Sequence, residues 1–445
     1  MFNYILREME DKLFEQSRKV LADNDRGSWT VPSNLLYPHQ WLWDSCFISI
    51  GLRHIDVNRA QTELQSLLRG QWSNGMLPDM IFANRGNSNL DKVLWDSVIS
   101  PESPKDLDTS GVTQPPMLAE AVLATGQKLR LPERRLWFKQ MLPSIVRFHE
   151  WLYEERDPDH EGLVALIHPY ESGLDNSPPW IEELKARGIP LWVSVLNKLK
   201  LAFVVSLVRR DTRHAPSGQR MSNVEALSFF VALRRLRHKA YDSKKILKKP
   251  YLAVQDLGFN CILIRANACL AEIAKTAGVS LPPRLLKNMG LSGSALEKLW
   301  DEETGQYYSR SFSRGELIQE SSVATLLPLY AGSISRERAG HLVELTKKRS
   351  LFKVNYPLPS VPTSSIYFNP HKYWQGPTWI NINWLVIQGL EHYGYKEEAA
   401  SLRQKTLDLV AKNGCHEYFD PLTGQGLGAQ NFSWTAALTI DLLKN

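Results

Sequence analysis

The sequence has few of the features that mark membrane proteins and disulfide-rich proteins. It contains no run of about 18 apolar residues, so we expect no membrane span. Its 445 residues include only four cysteines and no CxxC pair, and we expect buried thiols rather than a disulfide framework. The N-terminus has no basic segment followed by an apolar run and is typical of an amphipathic helix. The sequence therefore predicts a cytoplasmic protein.

Several common catalytic signatures are also missing. The sequence has no HExxH, P-loop or GxSxG motif. Gly290-Leu-Ser-Gly-Ser294 comes closest to the last of these, but Ser294 stands where the second glycine is needed. No spacing of His, Asp and Glu suggests a zinc site, and the carboxylate-rich segment 157–162 lacks the twelve-residue spacing of an EF-hand. We expect neither a metal nor an organic cofactor.

Tryptophan is abundant, and basic residues are clustered. Several of the 14 tryptophans lie in short segments beside Asp, Glu, Asn and Gln, a mixture that suits the apolar faces and hydroxyl groups of a sugar. The net charge of +6 has two clusters: Arg209, Arg210 and Arg213, and then Arg234, Arg235, Arg237, Lys239, Lys244, Lys245, Lys248 and Lys249. A solvated helix face explains these clusters most simply, and a site for an anionic small substrate is the alternative. We expect no nucleic-acid partner.

Helical periodicity dominates the chain. In segment 395–411, one side carries Ala399, Leu402, Leu407 and Val410, and Gly414 follows as a C-terminal cap. Strand-like alternation is confined to short pieces after turns. The other segments predicted as helices are 3–22, 45–54, 58–70, 116–127, 134–153, 192–208, 223–240, 254–277, 320–331, 336–349, 378–393 and 432–443.

A recurring turn indicates how these helices are arranged. Asp301-Glu-Glu-Thr-Gly305 and Asp420-Pro-Leu-Thr-Gly424 each supply an aspartate at the turn entry and a glycine for positive φ. A repeated helix–turn unit fits either an open solenoid or a closed ring of helix pairs. Six pairs would form an all-α (α/α)6 barrel. We favour the barrel, because closure would bring the aromatic-rich loops to one rim.

Segment 181–250 interrupts the regular alternation of helices and turns. It is more highly charged than the segments on either side of it. We predict that it forms a helical cap inserted into the ring. Residues 1–180 and 251–445 would then form the catalytic barrel itself.

A bent loop carries two candidate carboxylates. It reads His168-Pro-Tyr-Glu171-Ser-Gly-Leu-Asp175-Asn-Ser-Pro178-Pro-Trp180, and a helix cannot run through Pro178. The nearby Trp180 offers an apolar wall that would raise the pKa of a carboxyl group, as a general acid near neutral pH requires. A local turn formed by the side chain is the alternative role for Asp175.

Glu417 is the other candidate carboxylate. In Cys415-His-Glu417-Tyr-Phe-Asp420-Pro it stands beside aromatic residues, on a short strand that follows a helix. A surface position is the alternative for Glu417, and Asp420 is explained by its turn. Asp175 and Glu417 are far apart in sequence, and a closed barrel would bring them together naturally.

Further segments pair aromatic with polar side chains. In segment 37–45, Asp44 could accept hydrogen bonds from two neighbouring sugar hydroxyls, or it could serve as the N-cap of helix 45–54. Gln114 precedes two prolines and would project from the rim. Segment 371–379 combines Tyr and Trp with a Gly-Pro bend, which fits either the rim or simple packing.

Taken in order, these motifs resemble the glycoside hydrolases of family 63, and among them the mannosylglycerate and glucosylglycerate hydrolases of bacteria and plants. The resemblance spans residues from about 35 to 440. Its motifs are Trp41-Leu-Trp43-Asp44-Ser, Gln71-x-x-Asn74-Gly-Met76-x-Pro, Thr113-Gln114-Pro-Pro, Glu171-Ser-Gly-x-Asp175-Asn-Ser-Pro, Tyr373-Trp-x-Gly-Pro-x-Trp379, Glu417-Tyr-Phe-Asp-Pro-x-Thr-Gly and Phe432-Ser-Trp-Thr-Ala.

The resemblance implies an (α/α)6 barrel with a helical cap, and hydrolysis of 2-O-α-mannosyl- or glucosyl-glycerate with inversion. By position, Asp175 matches the general acid of the family and Glu417 its general base. The carboxyl groups of such a pair lie about 6.5–9.5 Å apart, which leaves room for water. The positions that match the sugar site are Tyr37, Trp41, Trp43, Asp44, Gln114, Tyr373, Trp374, Trp379 and Gln430.

The resemblance also implies that side chains of the cap hold the glycerate carboxylate. Arginine suits this role, because its planar guanidinium binds a carboxylate through two parallel hydrogen bonds. The candidates are Arg209, Arg210, Arg213 and Arg220, of which Arg213 and Arg220 are kept as predicted site residues.

Two other functions remain open from the sequence. The first is an α-glucosidase that acts on short neutral glucosides such as glucosylglycerol or kojibiose. The second is a non-catalytic helical scaffold or sugar-binding protein, in which both carboxylates would be dispensable. The leading hypothesis predicts a small sugar substrate with an anionic aglycone and leaves a homo-oligomer open.

Overall fold

The computed structural model describes residues 2–83, 88–188, 192–194, 209, 211 and 216–445. These residues are mainly helical, as predicted. The α-helices among them are α1 (Phe2–Asn24), α2 (Leu42–Leu52), α3 (Val57–Leu68), α4 (Ser88–Trp95), α5 (Leu118–Gln127), α6 (Leu131–Arg156), α7 (Pro178–Arg187), α8 (Asn223–His238), α9 (Ser243–Lys248), α10 (Leu257–Ala277), α11 (Pro283–Ala295), α12 (Pro328–Ala331), α13 (Arg336–Lys347), α14 (Ile380–Tyr393), α15 (Lys396–Asn413) and α16 (Ser433–Lys444).

The strands of the described residues are short and pair in an antiparallel manner. The pairs are β1 with β2, β3 with β6, β6 with β7, β4 with β5, and β8 with β9. Their bounds are β1 (Gln40–Trp41), β2 (Met80–Ile81), β3 (Val254–Gln255), β4 (Trp300–Asp301), β5 (Gln306–Tyr307), β6 (Ser309–Ser311), β7 (Leu317–Ile318), β8 (His416–Phe419) and β9 (Gly426–Gln430).

Six helices of the described part of the chain contact one another in cyclic order. Helix α2 contacts α5, and the sequence of contacts continues through α10, α12, α14 and α16 back to α2. Further helices pack against this cycle: α1 against α16, α3 against α2 and α5, α6 against α5 and α10, and α15 against α14 and α16. Every residue of α2 is buried, as expected of a helix that is enclosed on all sides.

The outer helices show the opposite pattern. Helix α13 packs against α12 and α14 and buries Ala339, Leu342, Val343 and Leu345, while most of its other residues face solvent. This is the pattern of an amphipathic surface helix. The core therefore lies mainly between the six helices in cyclic contact and along the inner faces of the helices that surround them.

Helix α10 (Leu257–Ala277) is long and apolar enough to cross a membrane by length and composition alone. Its sequence is not an uninterrupted apolar run, because Asn260, Arg265 and Glu272 fall within it. Within the protein, 78% of its most apolar window is buried. The burial arises because α5, α6 and α12 pack against it, as around the core helix of a globular protein.

Several helix boundaries differ from the prediction. Helix α2 begins at Leu42 rather than at 45, and its N-cap is Trp41 without a side-chain cap. The alternative role of Asp44 as an N-cap is therefore wrong. Segment 320–331 is not one helix but a 3-10 turn followed by α12, because Pro328 has no N–H with which to continue the helical hydrogen bonds.

The segment predicted as a cap is only partly described. Its described residues include the end of α7, a 3-10 turn at Ser217–Gln219, and helices α8 and α9. Helix α8 begins with a capping box in which Ser222 and Glu225 satisfy each other's backbone N–H groups. The predicted helix 192–208 lies almost entirely outside the described residues, and the division into barrel and cap stays a prediction.

The cysteines follow the prediction. Cys46, Cys261, Cys269 and Cys415 are all buried and unpaired. Burial raises the pKa of each thiol, and the pKa of Cys415 rises to about 12. The thiols are therefore protonated near neutral pH and pack as small apolar side chains. The cytoplasmic location stays a prediction.

Candidate active site

A cavity of about 730 Å³ brings together most of the candidate residues. Its wall includes both Asp175 and Glu417, which lie far apart in sequence. The volume is typical of a pocket for a small-molecule ligand. The other predicted site residues in the wall are Tyr37, Trp41, Trp43, Asp44, Gln114, Arg220, Tyr373 and Trp374.

The loop that carries Asp175 is held in place on both sides. A 3-10 turn at Pro169–Ser172 ends at Gly173, whose φ of +70° is unfavourable for other residues. A Cβ atom at Gly173 would also lie only 2.5 Å from the ring of Trp43, so a larger residue would not fit. On the other side, Asn176 accepts a hydrogen bond from the backbone N–H of Trp374 at 3.1 Å. The loop therefore presents Asp175 from a fixed backbone.

The carboxyl group of Asp175 has the properties of a general acid. The side chain is partly buried, and burial raises its pKa to about 7, with a smaller contribution from the charge of Glu417. Tyr373 acts in the opposite direction, because its hydroxyl donates to Oδ2 at 3.4 Å and favours the ionised form. At neutral pH a substantial fraction of Asp175 therefore carries the proton that a leaving group needs.

The apolar surroundings of Asp175 differ from the prediction. Trp180 was expected beside the carboxyl group, but it lies fully buried in the core, where its Nε1 donates to Asp256. The aromatic wall near Asp175 comes from Trp43, Tyr373 and Trp374 instead. The error has a physical cause, because Trp180 lies in the first turn of α7 and that helix turns its indole into the core.

Glu417 lies on β8 and is 1% exposed. Its Oε1 accepts hydrogen bonds from the hydroxyl of Tyr37 at 2.7 Å and from Nη1 of Arg220 at 2.9 Å. Its Oε2 accepts from Nη2 of Arg220 at 2.6 Å and from the backbone N–H of Ala429 at 2.9 Å. A Cβ atom at Gly428, where φ is +67°, would come within 2.5 Å of Oε2. The hairpin of β8 and β9 thus needs glycine there to hold the carboxylate.

Arg220 reaches this carboxylate from the segment predicted as a cap. The preceding residue, Gln219, accepts a hydrogen bond from the backbone N–H of Gly428 through Oε1 and one from the hydroxyl of Tyr418 through its carbonyl. The guanidinium of Arg220 lies over the rings of Tyr37, Tyr373 and Tyr418, at 5.3–6.0 Å from their centroids. Its Nε is buried and has no hydrogen-bond partner among the described residues.

Tyr373 and two tryptophans form the aromatic side of the cavity. Tyr373 adopts a left-handed backbone with φ of +37°, which is unfavourable for a bulky residue and is often found at functional sites. Trp374 and Trp379 stack face to face at 3.7 Å with an interplanar angle of 5°. Trp374 lines the cavity, whereas Trp379 lies behind it and binds the carbonyl of Tyr373 through Nε1. Trp379 was predicted to contact the sugar, and the structure gives it a supporting position instead.

Asp44 and Gln114 both line the cavity. Asp44 lies in the first turn of α2, and Gln114 lies in the loop that precedes α5. Asp44 is 3% exposed, and burial, followed by the charge of Glu417, raises its pKa well above the ordinary value. Gln114 accepts a hydrogen bond from the backbone N–H of Trp43 through Oε1 at 3.3 Å. Together they provide polar groups on the side of the cavity formed by the first turn of α2.

Two other predicted residues are not brought to the cavity by the described structure. Gln430 is exposed at the end of β9, whereas its neighbour Ala429 is buried, as the alternation of side chains along a strand predicts. Arg213 lies outside the described residues, as does Arg210. Arg209 does line the cavity, where it binds Asp211, the carbonyl of Met221 and the side chain of Asn223.

Part of the wall was missed by the sequence analysis. Helix α8 contributes Ala226, Leu227, Phe229 and Phe230. These apolar positions recur at the helical spacing, so the amphipathic pattern of α8 contained the signal. Outside the wall, the buried Asp79 was also missed. Neither of its carboxyl oxygens has a partner among the described residues, and burial raises its pKa well above the usual range.

Within the described part of the chain, no group of three or more His, Cys, Asp or Glu side chains could hold a metal ion. The polar groups of the cavity include carboxylates, arginines, tyrosine hydroxyls, the amide of Gln114 and two indoles. The Nε1 groups of Trp41 and Trp434 are buried in the wall without a hydrogen-bond partner among the described residues. Such donors suit the hydroxyl groups of a sugar, since a buried donor without an acceptor is unfavourable.

Comparison with known proteins identifies the family. Residues 37–435 match the family described as the mannosylglycerate hydrolase MGH1-like glycoside hydrolase domain. The chain belongs to this family. It is therefore an enzyme, a glycoside hydrolase, and the prediction made from its motifs is confirmed.

Relatives match along nearly the whole chain. A mannosylglycerate hydrolase of Thermus thermophilus is 37% identical over 425 residues, which cover 95% of this chain and 98% of the relative. A glucosylglycerate hydrolase of Mycolicibacterium hassiacum is 30% identical, and the match covers 97% of this chain and 98% of the relative. The crystal structure of a family 63 mannosylglycerate hydrolase from Thermus thermophilus with Tris and D-glycerate superposes with a TM-score of 0.87 at 37% identity, covering 96% of this chain and 99% of that one.

Proposed function

We propose that the enzyme hydrolyses the α-glycosidic bond of 2-O-α-mannosyl- or glucosyl-glycerate with inversion at the anomeric carbon. The observation that carries the proposal is the pair Asp175 and Glu417 in the wall of one aromatic cavity, with the pKa of Asp175 raised to about 7. The names of the relatives support the substrate class, and one solved relative binds D-glycerate.

The chemistry requires one acid and one base. Asp175, protonated, gives its proton to the glycosidic oxygen as the bond from this oxygen to the anomeric carbon breaks. A water molecule attacks the anomeric carbon from the opposite face, and Glu417 takes one of its protons. The products are the free sugar, in the β configuration, and glycerate. Asp175 is left ionised and Glu417 protonated, and solvent exchange restores both.

The sugar is recognised by the polar residues in and near α2 and by the aromatic residues of the cavity wall. Asp44 accepts hydrogen bonds from two neighbouring hydroxyls of the sugar, and Gln114 adds a polar group to the same cavity wall. The partnerless Nε1 groups of Trp41 and Trp434 supply buried donors. Trp374, stacked on Trp379, contributes its indole to the aromatic side of the cavity that receives the sugar ring.

Recognition of the glycerate carboxylate falls to the arginines. Arg220 is buried, lies next to Glu417 and has an unused Nε–H. A carboxylate that approached this edge of the guanidinium would satisfy that donor with a charge-assisted bond. Arg209 also lines the cavity and is the second candidate.

The proposal includes the fold predicted from the sequence. The cyclic contacts of α2, α5, α10, α12, α14 and α16, with a further helix against most of them, support an (α/α)6 barrel. The contribution of α8 to the cavity wall supports a helical cap within segment 181–250. An open solenoid would not give contacts between α16 and α2.

The proposal is tested by incubating the purified enzyme with mannosylglycerate and glucosylglycerate. We expect release of glycerate from at least one of them. Asp175→Asn and Glu417→Gln should each lose most of this activity, by about 10²–10⁴-fold for a general acid or base. Asp408→Asn, at an exposed position on α15, serves as the control and should retain full activity. Wild-type rates in either cavity variant would contradict the assignment.

One observation favours a second substrate class. Each arginine that the described residues place in the cavity wall already binds a carboxylate, namely Asp211, Glu417 or Asp96. A neutral glucoside such as glucosylglycerol would leave these ion pairs undisturbed. Faster turnover of glucosylglycerol than of glucosylglycerate would favour an α-glucosidase of neutral substrates.

A further inference from the structure

The carboxylate of Glu417 has no acceptor position left for water. An ionised carboxylate offers about four lone-pair sites on its two oxygens. Tyr37 and Nη1 of Arg220 occupy Oε1, while Nη2 of Arg220 and the N–H of Ala429 occupy Oε2. A general base must accept a proton from water, so at least one of these four donors has to leave before the reaction.

Of the three groups that donate, Arg220 is the one able to leave. The N–H of Ala429 is part of the backbone of the β8–β9 hairpin and cannot move independently. The hydroxyl of Tyr37 is carried by a rigid ring, and this hydroxyl also accepts from Nη1 of Arg220 at 3.0 Å. Arg220 has a long side chain, and the backbone beside it is fixed through Gln219, so the guanidinium can pivot while the chain stays in place.

The surroundings of Arg220 favour such a pivot. Besides the hydrogen bond to the Tyr37 hydroxyl, the rings of Tyr37, Tyr373 and Tyr418 stabilise the cation through cation–π contacts, which are not directional. The ion pair with Glu417 is 2% exposed on both sides, so solvent hardly screens it. It will therefore persist until another anion replaces Glu417. The partnerless Nε–H marks the edge at which that anion would bind.

We propose that catalysis requires a negatively charged aglycone because of Arg220. The substrate carboxylate draws the guanidinium of Arg220 away from Glu417, and Glu417 is then free to act as the base. This inference rests on the proposed function. It assigns to Arg220 a role in selecting substrates through kcat, in addition to any contribution to affinity. A neutral glycoside can occupy the cavity but leaves Glu417 bound to Arg220. After cleavage, departure of glycerate lets the ion pair form again.

The inference can be tested on the wild-type enzyme with α-D-glucosyl fluoride and α-D-mannosyl fluoride. These neutral substrates have fluoride as the leaving group, so they need Glu417 but little help from Asp175, and they leave the aglycone site empty. Added D-glycerate would occupy that site and bind Arg220. We expect glycerate at millimolar concentration to raise kcat for the fluoride about tenfold, a part of what a general base contributes. Glycerol, the neutral analogue of similar size, should have no such effect.

Two variants complete the experiment. Arg220→Gln should turn over the fluoride at close to the glycerate-stimulated rate of the wild type, and glycerate should no longer stimulate it. Arg53→Gln is the matched control, because Arg53 forms a buried ion pair with Asp441 outside the cavity wall. It should respond to glycerate as the wild type does. If Arg220→Gln does not fold, the wild-type measurement decides alone.

The outcomes separate this inference from the proposed function. Inhibition by glycerate, or no effect of glycerate on fluoride turnover, would overturn the role of Arg220 even if the enzyme cleaves glycosylglycerates. Equal stimulation by glycerate and glycerol would also overturn it. Failure to release glycerate from mannosylglycerate and glucosylglycerate would instead remove the proposed function.

Discussion

Arg156 and Glu171 form a buried bidentate ion pair that anchors the loop of Asp175. Nη1 of Arg156 lies 2.9 Å from Oε2 of Glu171, and Nη2 lies 2.7 Å from Oε1. The backbone N–H of Ile167 also donates to Oε2, at 2.7 Å. Glu171 belongs to the same sequence motif as Asp175 but is fully buried and does not line the cavity. Its contacts indicate that it positions the loop.

Removal of one member of this pair should destabilise the protein. We expect Glu171→Leu to lower the free energy of unfolding by about 3–5 kcal/mol, because it leaves the charge of Arg156 buried without its partner. The double variant Arg156→Met/Glu171→Leu should recover most of the loss, since it removes both charges. Denaturant unfolding measures both. If the double variant were as unstable as the single variant, the pair would stabilise the protein through packing rather than through the pairing of its charges.

The activity of the enzyme should fall as the pH rises through about 7. The general acid must be protonated, and Asp175, whose pKa burial raises to about 7, is protonated below that pH and ionised above it. The measurement is kcat as a function of pH on a glycosylglycerate. In Asp175→Asn the residual rate should no longer fall above about pH 7, so the alkaline limb of the pH profile should disappear. An unchanged alkaline limb would show that another group is responsible for it.

Tyr373→Phe should move the alkaline limb to higher pH. The hydroxyl of Tyr373 donates to the ionised form of Asp175, so its removal disfavours ionisation and raises the pKa of Asp175 further. The hydrogen bond is long, at 3.4 Å, and we expect a shift of a few tenths of a pH unit. Tyr393→Phe is the control, because Tyr393 binds the backbone of Ile334 outside the cavity wall. A shift in the opposite direction would contradict the geometry.

Asp79→Asn should stabilise the protein at alkaline pH. The pKa of Asp79 is raised by burial in the folded state, so folding favours its protonated form. The wild type therefore loses stability as the pH rises from 3.8, the ordinary pKa of aspartate, to the raised pKa of Asp79. The Asp79→Asn variant has no carboxyl group at this position and does not lose this stability. We expect a gain on the order of 1–3 kcal/mol at pH 8 that disappears below pH 4. Thermal unfolding at both pH values measures it.

The control for Asp79 is Asp408→Asn, an exposed aspartate on α15. Its stability should follow that of the wild type at every pH. A gain at Asp79 that did not depend on pH would show that packing, rather than ionisation, explains the effect.

The sequence predicted the helical character of the chain and much of the cavity wall. Periodic apolar residues placed helices such as α15 and α16 within one or two residues of their observed bounds. The aromatic and polar clusters around Tyr37, Asp175, Tyr373 and Glu417 proved to line one cavity. Helices α2, α14 and α16 follow three of these clusters, and α16 packs against both α2 and α14.

Other features depend on tertiary packing that one sequence does not encode locally. The sequence gives no sign that Trp180 turns into the core or that Trp379 stacks behind Trp374. Helix α11 was missed because its prolines and glycines resemble a loop. The pairing of Arg220 with Glu417 joins two segments almost two hundred residues apart and could not be predicted from either one.

The most direct test of the proposed mechanism is the configuration of the first sugar product. Proton NMR of a fresh reaction with an α-linked glycosylglycerate distinguishes the anomers before they equilibrate. With Asp175 as acid and Glu417 as base on opposite sides of the bond, the β anomer should accumulate first. Accumulation of the α anomer would require a covalent intermediate and would contradict the roles assigned to the two carboxylates.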